Sequence, residues 1–139
     1  MHIEHARLES LTQLRILLSE NAESLRISDI IIAPSVVIRA LKAEETQVIL
    51  EVDEVDLARS YSVMLRGAGI VQLDLDPCVR TFRSDLPLGC TMEDGVYVFR
   101  LFAPRARTVQ LHLFDAVDDD LGSIHYLEPA GDGIWQIVL

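Results

Sequence analysis

Val98-Phe99-Arg100-Leu101-Phe102-Ala103-Pro104-Arg105-Ala106-Arg107-Thr108-Val109-Gln110-Leu111-His112-Leu113-Phe114 reads as two strands broken by a proline turn. Residues two apart on a strand share a face. Phe99, Leu101 and Ala103 therefore make one row, Val109, Leu111 and Leu113 make a matching one, and together they are expected to be core. The opposite rows, Val98-Arg100-Phe102 and Gln110-His112-Phe114, leave two rings on a partly polar face. Such a face is expected either to be a contact surface or to be covered by neighbouring chain.

Further strands flank this stretch. Val96 to Phe102, Thr108 to Phe114 and Ile134 to Leu139 are separated by turn signals at Glu93-Asp94-Gly95, Ala103-Pro104-Arg105 and Gly131-Asp132-Gly133. Upstream, residues 77–87 lose alternation and carry Pro77, Ser84, Asp85 and Pro87, which marks a connector. Earlier still, Leu14/Ile16/Leu18, Val48/Leu50/Val52 and Tyr61/Val63/Leu65 alternate as half-buried strands. Ile30-Ile31-Ile32-Ala33 and Val36-Val37-Ile38 are extended pieces interrupted by Pro34. Arg7 to Leu18 also permits a helix, because Leu8, Leu11, Leu14 and Leu18 recur at spacings of three and four. The order of the pieces favours strands. The expectation is an all-β chain of two antiparallel sandwich modules, residues 1–76 and 88–139, joined by the connector 77–87.

Composition narrows the function. A chain of 139 residues, 50% apolar, holds enough core for one ordinary domain or two small β modules. Its net charge of −10 repels phosphate backbones and offers no cationic face to an anionic membrane, so neither nucleic acid nor a membrane is expected as a partner. No apolar run reaches the roughly 20 residues needed to span a bilayer, and Met1-His2-Ile3-Glu4 does not begin like a signal peptide, which points to the cytoplasm. Cys78 and Cys90 have no metal spacing and are expected as free thiols, a single bridge being the alternative.

No catalytic set is legible. His2, His5, His112 and His125 lack a paired acid or cysteine at ligand spacing, so no metal site or cofactor is expected. Asp115, Asp118, Asp119 and Asp120 read as a solvated loop whose carboxylates titrate near their ordinary values.

Leu88-Gly89-Cys90, Phe99-Arg100-Leu101-Phe102-Ala103-Pro104-Arg105-Ala106 and Asp132-Gly133-Ile134-Trp135 resemble the accessory module that precedes the barrel in isoamylases, glycogen branching enzymes and debranching enzymes. The family pattern is Leu-Gly-Ala, Phe-Arg-Val-Trp-Ala-Pro-x-Ala and Asp-Gly-x-Trp, and Phe102 stands here where the family usually has Trp. The first half resembles bacterial immunoglobulin-like modules, and Asp56-Leu57-Ala58-Arg59-Ser60-Tyr61-Ser62-Val63 resembles the small module before the accessory sandwich of type I pullulanases.

This resemblance implies two immunoglobulin-like sandwiches, the second ending before the family module does. It also implies a non-catalytic region of a debranching glycosidase acting on α-1,6 branch linkages through a barrel that this stretch does not contain. Phe102, Phe114 and Arg100 are then candidates for docking on that barrel. Weak contact with an α-glucan (glycogen, pullulan or starch) falls to Trp135, Tyr97 and Tyr126, because Lys42 and Asn21, the single lysine and asparagine, lie in the first module. A buried structural role is the stronger reading of Trp135. The alternative is a free-standing sandwich that binds glycogen or a protein. An open sheet edge would also predict homodimers formed by strand pairing.

Overall fold

A computed structural model describes all 139 residues. The chain divides into two compact units, Met1–Thr81 and Phe82–Leu139. No helix is long and apolar enough to cross a membrane.

The first unit contains β1 (Ile3–Ser10), β2 (Gln13–Leu18), β3 (Ile30–Ala33), β4 (Ile38–Glu44), β5 (Gln47–Val52), β6 (Ser62–Leu65) and β7 (Gly69–Gln72). They form an antiparallel sheet in the order β1-β2-β5-β4 and another in the order β3-β6-β7. Alternation places Ala6, Leu8, Leu14, Ile16, Leu18, Val48, Leu50 and Val52 on one inner face, with Ile30, Ile32, Val63 and Leu65 on the other, and all are buried. Arg7 to Leu18 is a hairpin and not a helix: Leu8 lies opposite Leu14 and Ala6 opposite Ile16. The period of two governs because it buries every one of these residues against the second sheet, whereas a helix would bury only a stripe.

Tyr61 gives the Asp56-to-Val63 pattern its physical sense. Its ring is buried just before β6, and its hydroxyl accepts the Asp56 amide at 3.1 Å, five residues upstream. Asp56 in turn accepts the Ala58 amide at 2.9 Å and so shapes the turn. This bond of a tyrosine hydroxyl to upstream backbone resembles the tyrosine corner of immunoglobulin-like sandwiches.

Two sequence readings are corrected in this unit. The Val36-Val37-Ile38 piece is not a strand in itself, since β4 begins at Ile38 and continues through Arg39, Lys42 and Glu44 as a largely exposed edge strand. Residues Asp76–Val79, which overlap the start of the expected connector, form one helical turn (α1) against β1. Pro77 suits the first turn of a helix, where its missing N–H has no partner to lose, and Cys78 is buried there.

The second unit contains β8 (Gly89–Glu93), β9 (Val96–Phe102), β10 (Gln110–Leu113), β11 (Ser123–Tyr126), β12 (Glu128–Gly131) and β13 (Ile134–Val138). Its sheet runs β12-β13-β9-β8, and β10 and β11 form a two-stranded ribbon. The β8–β9 turn is Asp94-Gly95, both at positive φ as a type I′ hairpin requires. Asp132-Gly133 does the same between β12 and β13.

The predicted rows of β9 behave differently from expectation. Phe99 and Leu101 do face Val109, Leu111 and Leu127, but across a hollow of about 230 Å³, and Leu101 is 49% exposed. The most buried residues of β9 are Val98 and Arg100, on the face assigned to the outside. Burial of that arginine is sustained by its partners: Nη1 and Nη2 donate to Glu93 at 2.7 and 3.3 Å, and Nε donates to Gln136 at 2.7 Å. Farther along the same face, Phe82, Leu86 and Leu88 lie around Phe102 and Ile134.

Candidate functional site

The three rings proposed for sugar contact do not converge. Cross-strand pairing places Tyr97 and Trp135 on the same face of the four-stranded sheet as Phe99 and Leu101. Trp135 pairs with Leu101, four residues from Tyr97, so the two lie roughly 13 Å apart along the strands. Trp135 is half-buried, and its Nε1 donates to the Ala103 carbonyl at 2.9 Å. That bond ties β13 to the end of β9. Tyr97 is 52% exposed. Tyr126 belongs to the ribbon.

The docking candidates also have different surroundings. Arg100 is held within its own sheet by Glu93 and Gln136. The Phe102 ring lies against the Gly133 turn, where an added Cβ would approach its Cε2 to 2.8 Å. Phe114 remains largely exposed.

The ribbon holds a constellation that was only half legible in sequence. Gln110 pairs with Tyr126 and His112 with Ile124, and paired residues share a face. Alternation adds Phe114 to this outer face, and all five side chains are exposed. The His112 Nε2 and the Gln110 Oε1 are 3.1 Å apart. Continuing the register places Phe114 opposite Gly122, and a Cβ on Gly122 would come within 2.9 Å of the Phe114 ring. Tyr126 and Ile124 were not associated with this face from sequence because a strand as short as β11, after a nine-residue loop, carries no register signal of its own.

The acidic loop between β10 and β11 is organised by one of its carboxylates. Asp119 accepts the amides of Leu121 and Gly122, both at 3.1 Å, and that of Asp115 at 3.3 Å. These donors stabilise the ionised form and hold the Asp119 pKa below the ordinary carboxylate value, which corrects the expectation for this residue. No group of three His, Cys, Asp or Glu side chains is placed to share a metal ion. Cys78 and Cys90 are unbridged, and burial pushes the Cys78 thiol up.

Comparison with known proteins agrees with this architecture. Residues 87–139 match the family Carbohydrate-binding module 48 (isoamylase N-terminal domain). No protein of curated function matches in sequence. Among solved structures, the pullulanase from Bacillus acidopullulyticus covers 100% of this chain at 10% identity, with a TM-score of 0.66. A pullulanase of Group B Streptococcus in complex with maltotetraose also covers 100%, at 12% identity and a TM-score of 0.66. A mutant pullulanase of Klebsiella pneumoniae in complex with maltotriose covers 99%, at 14% identity and a TM-score of 0.61. The matched parts are 32%, 20% and 19% of those three chains, so this chain spans a third of their length or less. Over its whole length the chain is similar in fold to part of a pullulanase, and over residues 87–139 it is similar to carbohydrate-binding module 48, the isoamylase N-terminal domain.

Proposed function

We propose that this chain is a non-catalytic accessory region of an α-glucan debranching glycosidase, and that its second unit contacts α-glucan while the two units together position a catalytic barrel. One observation carries the reading. The family match to a carbohydrate-binding module and the pullulanase-like fold coincide on residues 87–139, and the fold likeness extends over the first unit as well. A free-standing glycogen-binding module accounts for the family match but not for the likeness of the first unit.

The chain's own chemistry fits an accessory role. The ribbon presents rings, an amide and an imidazole, which suit a neutral polyhydroxyl ligand. Affinity electrophoresis of the 139-residue chain in gels containing glycogen or pullulan tests the binding claim: retarded migration is expected, and unaltered migration defeats it. The barrel is tested in the gene, where an uninterrupted frame downstream of Leu139 encoding βα units is expected and a stop codon sinks the claim.

A further inference from the structure

The geometry points to the outer face of the β10–β11 ribbon as the α-glucan contact surface, with Tyr126 and Phe114 as platforms at its two ends and Gln110 and His112 as the polar groups between them. This inference rests on the proposed α-glucan reading and assigns it a place.

Each end has a ring. Tyr126 is 62% exposed at the Gln110 end, and Phe114 is 54% exposed at the Gly122 end. Gln110 and Phe114 are four positions apart, a span of roughly 13 Å, which exceeds one sugar ring and suits an oligosaccharide laid along the strands. A glucosyl ring has apolar C–H faces that pack on aromatic carbon, and hydroxyls around its rim that need hydrogen-bonding groups. Gln110 and His112 supply both donors and acceptors in the interval, and their mutual contact at 3.1 Å orients them on one face. Ile124 extends the apolar floor beside His112.

Preorganisation distinguishes this strip from a random exposed patch. The Phe114 ring occupies the space that a side chain at residue 122 would need, so it is seated against the Gly122 backbone while remaining 54% exposed. Gly122 is held in turn by Asp119, which binds its amide together with those of Leu121 and Asp115. Holding a ring in place before a ligand arrives lowers the entropy lost on binding. A neutral glucan is also an occupant that the net charge of −10 does not repel, unlike an anionic partner.

Trp135 and Tyr97 provide the contrast, because they lie on the other sheet and the Trp135 indole nitrogen is already bonded to Ala103. The test is affinity electrophoresis in glycogen gels, with maltoheptaose titration followed by amide NMR, on the 139-residue chain and its Phe114→Ala, Tyr126→Ala and Tyr97→Ala variants. Phe114→Ala and Tyr126→Ala are each expected to weaken binding roughly two- to tenfold, and Tyr97→Ala to leave it unchanged. Shifted amide resonances should map to 110–114 and 122–126. If the chain binds and the Phe114→Ala/Tyr126→Ala double variant, folded by circular dichroism, binds equally, this surface is wrong while the α-glucan reading stands. If the unaltered chain does not bind at all, both fall.

Discussion

Arg100, with its side chain 7% exposed, donates to Glu93 at 2.7 Å across the β8–β9 pair. The two partners are unequally placed, since the Glu93 side chain is 40% exposed. Removing Glu93 strands a buried guanidinium, whereas removing Arg100 leaves a carboxylate that water reaches. Glu93→Ala is therefore expected to lower the thermal midpoint more than Arg100→Met does. The reverse order would contradict the burial argument.

Acid should weaken the fold through the same carboxylate. The hydrogen bonds from Arg100 and then Thr91 hold Glu93 below its ordinary pKa; Arg39 does the same to Asp53, and backbone amides do so to Asp119. A group whose pKa is lowered by folding stabilises the fold above its unfolded value and loses that contribution as the pH falls through the folded one. The denaturation midpoint is expected to drop below about pH 4, and Glu93→Gln is expected to make that drop shallower. A variant with an unchanged acid slope would remove Glu93 from the account.

Tyr61→Phe keeps the buried ring and deletes the acceptor for the Asp56 amide. The bond is only part-buried, so its loss is expected to cost about 0.5–1.5 kcal/mol, which urea denaturation can resolve. A change below about 0.3 kcal/mol would mean that water replaces the hydroxyl.

Leu50 lies fully buried at the centre of the first unit, paired with Leu14 and Leu41. Leu50→Ala is expected to destabilise the chain by about 2–5 kcal/mol through lost transfer energy and the cavity left behind. Ile31→Ala, on the outward and 57% exposed face of β3, is the control and should change stability by less than about 1 kcal/mol.

Gly122 sits at φ +58, and a methyl there would meet the Leu113 carbonyl at 2.5 Å as well as the Phe114 ring. Gly122→Ala is expected to destabilise the ribbon by about 1–3 kcal/mol and to shift the Phe114 ring resonances. If the ring resonances stay in place, Phe114 is not seated on the glycine.

Several elements were legible from residues alone because their causes are local. The strands around Leu14, Val48 and Val63 declare themselves by alternation, the one at Ile30 by a continuous apolar run, and Asp94-Gly95 and Asp132-Gly133 declare their hairpins by the positive φ those residues tolerate. β4 was missed because an edge strand with Arg39, Lys42 and Glu44 carries little apolar signal. The ribbon strand β11 escaped because four residues after a nine-residue loop carry too little pattern to set a register, and with it went the association of Tyr126 and Ile124 with Gln110 and His112.

The inner and outer faces of β9 show where local reading stops. Val98-Arg100-Phe102 and Phe99-Leu101-Ala103 are both largely apolar, so alternation establishes which residues share a face without stating which face is buried. By itself the sequence determined that the chain is all-β, where its turns lie and the resemblance of Phe99 to Ala106, since these depend on residue type and short spacing. Only the tertiary structure decided that Arg100 is buried, that Phe114 rests on Gly122 and that Trp135 and Tyr126 occupy different sheets. Those relationships join residues from seven to 36 positions apart, and no periodicity within a strand encodes which distant strand will lie beside it.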